Sequence, residues 1–87
     1  MAKIKIFTTR FCPYCVRAKQ LLKQKGQQFD ETAVDGDRAA RQRLYKKTGS
    51  PTVPQIWIGA SYVGGCDELY ALERAGKLDQ LLAAELT

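Results

Sequence analysis

Lys3-Ile4-Lys5-Ile6-Phe7-Thr8-Thr9-Arg10-Phe11-Cys12-Pro13-Tyr14-Cys15 changes its periodicity once, and the change falls at the first cysteine. Ile4 and Ile6 alternate with lysines, which predicts a half-buried strand over residues 3–7. Residues 8–11 have neither period and read as a loop. From Pro13 onward Cys15, Ala18, Leu21 and Leu22 recur on one helical face, with Arg17, Lys19 and Lys23 elsewhere, until Gly26 supplies a stop. Pro13 suits a first helical turn, where a missing N–H costs nothing. A strand therefore hands over directly to a helix, and two cysteines sit at the junction.

The rest of the chain repeats that alternation. Residues 28–34 are expected to form a second strand, and Asp35-Gly36-Asp37 offers turn and cap residues for a second helix that turns Ala40 and Leu44 inward and ends at Gly49. Ser50-Pro51-Thr52-Val53-Pro54 cannot be helical and leads into a strand at Gln55 to Ile58. Gly59-Ala60-Ser61 is a turn of hairpin length, so Tyr62-Val63 should pair antiparallel with that strand before Gly64-Gly65 breaks it. Residues 67–75 and 78–86 read as one or two closing helices, with Leu69, Leu72, Leu78, Leu81 and Leu82 available to cover the sheet. The order βαβαββα predicts an α/β fold, a four-stranded mixed sheet with helices on both faces, in a single domain spanning residues 1–87. Phe7 and Trp57 are expected to pack on the sheet, and Phe29, Leu21, Leu22 and Leu44 to belong to the core.

Composition narrows the function. With 87 residues, 45% apolar and 26% charged, the chain has the make-up of one soluble globular unit, too short to enclose a large cofactor; its site should be a surface groove. No apolar run reaches membrane-spanning length and the alternating first residues do not resemble a signal peptide, so a cytosolic location without a membrane partner is expected. Twelve basic and four acidic residues precede Pro51, a net +8, and the remainder carries −3. The basic residues recur at helix-surface spacing, as a solvated face does, and no nucleic-acid-binding signature accompanies them. Anionic small molecules or acidic proteins stay compatible with that charge. Histidine is absent, which removes the commonest general base and excludes a Cys-His nucleophile pair.

The chemistry therefore rests on thiols. Cys12 falls at or beside the N-cap of the first helix, where unpaired N–H groups and the positive end of the helix dipole favour an anion, here a thiolate. Cys15 lies one turn further in, within disulfide reach and more buried. That asymmetry assigns Cys12 as nucleophile and Cys15 as resolving thiol. The competing reading of Cys-x-x-Cys is half a zinc site, but only Cys66 remains as a further soft ligand, so no metal site is expected.

Cys12-Pro13-Tyr14-Cys15, Thr52-Val53-Pro54-Gln55-Ile56 and Gly64-Gly65-Cys66-Asp67-Glu68-Leu69, in this order and spacing, resemble the motifs of a glutaredoxin of the small bacterial dithiol type, and the resemblance covers essentially the whole chain. It implies a thioredoxin fold, a cis Val53-Pro54 bond, and reduction of protein disulfides and glutathione mixed disulfides. Glutathione would serve as reducing co-substrate, without any tightly bound cofactor. The resemblance also implies the binding residues. Thr52, Val53 and Pro54 would offer a backbone edge to glutathione as an added strand. Gly64 and Gly65 would let it approach, the helix start at Cys66 and Asp67 would meet its γ-glutamyl carboxylate, Asp67 its ammonium group, and Tyr14 would flank its sulfur. Glutaredoxins usually carry a lysine three residues before the first cysteine. Here that residue is Thr9, which leaves Arg10 and Arg41 as candidates for the glycine carboxylate. The thiol of Cys66 is read as a buried helix-start residue. Partners implied are glutathione and disulfide-containing or glutathionylated proteins, with ribonucleotide reductase a fit for the family and the chain itself a monomer. Two alternatives stand beside this reading: a dimer sharing an iron-sulfur cluster ligated by glutathione, and an electron donor fed by thioredoxin reductase.

Overall fold

The computed structural model describes residues 4–85. Lys3, the expected start of the first strand, and Leu86, the expected end of the last helix, lie outside the described residues. The elements are β1 (Ile4–Thr8), α1 (Pro13–Gln24), β2 (Asp30–Ala33), α2 (Arg38–Thr48), β3 (Gln55–Ile58), β4 (Ser61–Gly64), α3 (Cys66–Arg74) and α4 (Leu78–Glu85). The sheet order is β2-β1-β3-β4. β1 runs parallel to β2, with Lys5 opposite Asp30, and antiparallel to β3, with Ile4 opposite Ile58; β3 and β4 form an antiparallel hairpin. The expected mixed four-stranded sheet is present.

Two apolar clusters occupy its two faces. Ile4, Ile6, Ile56 and Ile58 meet Ala18, Leu21 and Leu22 of α1, Leu69 of α3, and Leu78 and Leu82 of α4, with Phe29 packed at the margin. On the other face Val34, Leu44 and Trp57 cluster with Phe7, Ala40 and Val53 under α2. Phe7 and Trp57 meet edge to face, their centroids 5.4 Å apart. Lys25, the C-cap of α1, closes the larger side by pairing with Glu73 at 2.7 Å and Asp79 at 3.1 Å.

Two boundaries differ from the sequence expectation. β2 spans four residues where residues 28–34 were expected, because it is an edge strand whose partner ends at Thr8, opposite Ala33. Ser61 belongs to β4, opposite Ile58, so the hairpin loop is only Gly59-Ala60. The closing segment, expected as one or two helices, is two, so the order βαβαββα gains one more α: Gly76, at φ 72°, takes the left-handed conformation after α3, and the Lys77 N–H bonds back to the Leu72 carbonyl at 2.9 Å.

Candidate active site

Cys12 is the N-cap of α1, with extended backbone, and Pro13 is the first helical residue. Its sulfur accepts the Cys15 N–H at 3.1 Å, which satisfies one of the donors a helix start leaves without an acceptor. The same sulfur lies 3.8 Å from the Val53 carbonyl oxygen. Cys12 is 9% exposed and Cys15 1%. Burial, first, and then the hydrogen bond and charge of Cys12 push the Cys15 thiol up to about 12. All three cysteines are free thiols. The geometry thus separates the two sulfurs: that of Cys12 is nearly buried and held by a backbone N–H, and that of Cys15 is fully buried with its thiol pushed up.

The Val53-Pro54 bond is cis. The loop that carries it is tied down by Gln55, which is 2% exposed. Its amide donates to the carbonyls of Ser50 at 2.8 Å and Thr52 at 3.1 Å, while its Oε1 lies 3.1 Å from Thr48 Oγ1. Ser50 Oγ and Thr52 Oγ1 are 3.0 Å apart. A buried glutamine with both ends of its amide engaged is a specific clamp, since leaving either end unpaired would be costly.

Across from this loop, α3 begins at Cys66 with Gly65 as N-cap, and the Gly65 N–H is bonded to Glu68 Oε1 at 2.8 Å. Gly64, at φ 115°, takes a backbone conformation that L side chains rarely adopt, and a Cβ there would also lie 2.8 Å from Glu68 Oε1. Gly64 is therefore a backbone turn beneath the site; Gly65 is the glycine that faces the groove. The N–H groups of Cys66 and Asp67, in the first turn of α3, have no intrahelical acceptor.

Tyr14, Thr52, Val53, Pro54, Gly65, Cys66, Asp67 and Glu68 line one surface groove of about 390 Å³. Seven residues expected to bind ligand thus converge. Arg10 and Arg41 do not line it. The Arg10 backbone N–H is held by both carboxylate oxygens of Asp35, at 2.9 and 2.8 Å, and its side chain is exposed; Arg41 sits on α2 with its guanidinium 3.4 Å from the Pro51 carbonyl. Cys66 belongs to the larger core as well as to the groove wall, and burial pushes its thiol up, as expected of a buried helix-start residue. Glu68 was missed. Its signal was available, because a Glu three residues after an N-cap is the position that reaches back to the cap N–H.

The profile of the glutaredoxin family matches residues 4–63. A glutaredoxin of Pseudomonas aeruginosa is 62% identical over 84 residues, 97% of this chain and 100% of that protein. Glutaredoxin 3 of Escherichia coli K12 is 52% identical over 82 residues, 94% of this chain and 99% of that one. Among solved structures, a buckwheat glutaredoxin-glutathione complex superimposes with a TM-score of 0.89 at 32% identity, covering 95% of this chain and 78% of that chain. The solution structure of glutaredoxin from Brucella melitensis gives 0.84 at 49% identity, covering 94% and 89%. Likeness of this extent, carried by relatives of the same length and by the same arrangement of strands and helices, places the chain in the glutaredoxin family of thioredoxin-fold, glutathione-linked thiol–disulfide oxidoreductases.

Proposed function

We propose that this protein reduces glutathione mixed disulfides and protein disulfides through Cys12, with glutathione bound in the groove between the cis-proline loop and α3. The observation that carries the reading is the position of the Cys12 sulfur, 3.8 Å from the carbonyl of Val53, whose residue also lines the groove. An extended tripeptide pairing with the Val53 backbone would bring its cysteine sulfur alongside Cys12. Its γ-glutamyl carboxylate would meet the N–H groups of Cys66 and Asp67, its ammonium group the Asp67 side chain, and Tyr14 would flank the disulfide. Arg41, beside Pro51, is the cation proposed for the glycine carboxylate, with Arg10 the second candidate.

In deglutathionylation the Cys12 thiolate attacks the glutathione sulfur of the mixed disulfide, a Cys12-glutathione bond forms, and the substrate cysteine leaves as a thiolate that takes up a proton. A second glutathione thiolate then attacks that bond, giving oxidised glutathione and restoring the Cys12 thiolate. With a protein disulfide, Cys12 forms a mixed disulfide with the substrate and Cys15 displaces it. The resulting Cys12-Cys15 disulfide is reduced by two glutathiones, which leave as one oxidised glutathione. Two of the causes that keep Cys15 protonated are the hydrogen bond and charge of Cys12. Both vanish once Cys12 is in a mixed disulfide, so Cys15 becomes more acidic at the step that needs its thiolate. The reading places the protein as a monomer in the cytosol, a reducing compartment.

The test is turnover of a small glutathione mixed disulfide, with glutathione, glutathione reductase and NADPH. Wild type and Cys15→Ser are expected to turn over and Cys12→Ser to fall to the uncatalysed rate. Retained turnover in Cys12→Ser would sink the assignment. Inactivity of the wild type, with thioredoxin reductase able to reduce its disulfide, would replace glutathione as the reductant.

A further inference from the structure

Beyond the thiol groove, α2 carries a second concavity of about 800 Å³, lined by Gly36, Asp37, Arg38, Arg41, Gln42, Tyr45, Lys46 and Pro51. Arg38, Arg41, Tyr45 and Lys46 follow at helical spacing, so they form one stripe about 12 Å long at a rise of 1.5 Å per residue. α2 holds five cations, Arg38, Arg41, Arg43, Lys46 and Lys47, and no acidic residue. None of them takes part in an ion pair among the described residues; Lys47 turns away, over the Trp57 ring. Two carboxylates lie nearby and both are occupied by backbone N–H groups: Asp37 caps α2 through the Ala40 N–H at 3.0 Å, and Asp35 holds the Arg10 N–H. Tyr45 is 53% exposed on a helix that buries only Leu44.

A solvated helix ordinarily mixes both signs, because like charges three or four residues apart destabilise it. Here the negative charge beside α2, Asp37 and Asp35, sits before its first turn with oxygens bonded to backbone N–H groups, and the helix itself carries none along the strip. The donors are strung along the helix and do not converge on a point, which suits an extended acidic chain better than a single phosphate. The strip also borders the active loop, since Arg41 reaches the Pro51 carbonyl at 3.4 Å and Thr52 is the next residue and lines the thiol groove. We propose that the α2 strip docks an acidic segment of a disulfide-containing protein substrate while its disulfide meets Cys12. This rests on the reading of Cys12 as the nucleophile and adds what selects the protein substrate.

The experiment compares kcat/KM for two disulfide peptides with the same core, one flanked by Glu and Asp, the other by Gln and Asn. Dithiothreitol is the reductant, so the comparison does not depend on glutathione. At an ionic strength of about 0.05 M the wild type is expected to favour the acidic peptide by about tenfold, and raising it to about 0.5 M should remove most of that preference. Arg38→Glu/Lys46→Glu should abolish or invert the preference and Arg38→Lys/Lys46→Arg should keep it. Both should turn over the small glutathione mixed disulfide at the wild-type rate, which reports an intact fold and thiol site. Equal rates on the two peptides in the wild type, or an unchanged preference in the charge-reversed variant, would overturn the proposal. Failure of the small mixed disulfide in the wild type would instead count against glutathione dependence, leaving the peptide comparison readable.

Discussion

At the scale of single residues the two active-site cysteines differ by burial and by what each sulfur faces. Cys12 caps α1 and receives a helix N–H, whereas Cys15 points inward, 1% exposed, with its pKa pushed up to about 12. The unfolded chain would ionise that thiol near its ordinary 9.0, so between about 9 and about 12 the unfolded state binds fewer protons than the folded one. The contribution of Cys15 to stability is therefore fully present below that window and is lost as pH rises through it. Urea unfolding at about pH 8 and about pH 10.5 should show a larger fall in midpoint for wild type than for Cys15→Ala. An equal fall in both proteins would contradict the burial argument. The placing of Cys12 at the N-cap and of Cys15 one turn further in on the buried face was legible in the sequence, because N-cap position and helical phase are local properties. The part played by Gly64 was not: the fold sets it at a φ of 115°, which L side chains rarely adopt, and brings the Glu68 side chain against it.

At the scale of elements the cis-proline loop is held by a residue outside it. Gln55, the first residue of β3, joins that strand to the end of α2 through Thr48 and to the loop through the Ser50 and Thr52 carbonyls. Gln55→Leu should remove the buried amide that holds those carbonyls and cost about 1–3 kcal/mol of stability, measured by urea unfolding. It should also raise KM for the small glutathione mixed disulfide, because the backbone edge at Val53 loses its support. A loss of stability with KM unchanged would show a structural role alone. The sequence placed Gln55 at the head of a strand but showed nothing of this clamp, since its partners come from segments whose relative position only the fold supplies.

Over the whole molecule the packing is unequal. α1, α3 and α4 share one continuous apolar cluster with the sheet, while α2 rests on the smaller cluster and buries only Leu44. Local opening is easiest where little apolar surface is lost. Native-state hydrogen exchange should therefore show α2 amides exchanging faster than those of α1 and α3, and equal protection would refute the two-cluster account. The same looseness leaves the α2 cations at the surface, where the charge asymmetry already visible in the chain becomes a continuous strip beside the active loop.

The strand-to-helix junction at Cys12, the helix stops at Gly26 and Gly49, and the presence of a hairpin turn beginning at Gly59 were determined by the sequence itself. Each depends on residues within a few positions of one another and on steric or hydrogen-bonding rules that hold in any context. The length of β2, the Gln55 clamp and the places of Arg10 and Arg41 were decided by tertiary structure. An edge strand ends where its neighbour ends, an interior amide bonds to whatever carbonyls the fold delivers, and a long cationic side chain points where packing leaves room. None of those is a property of adjacent residues, because each depends on contacts between segments far apart in the chain.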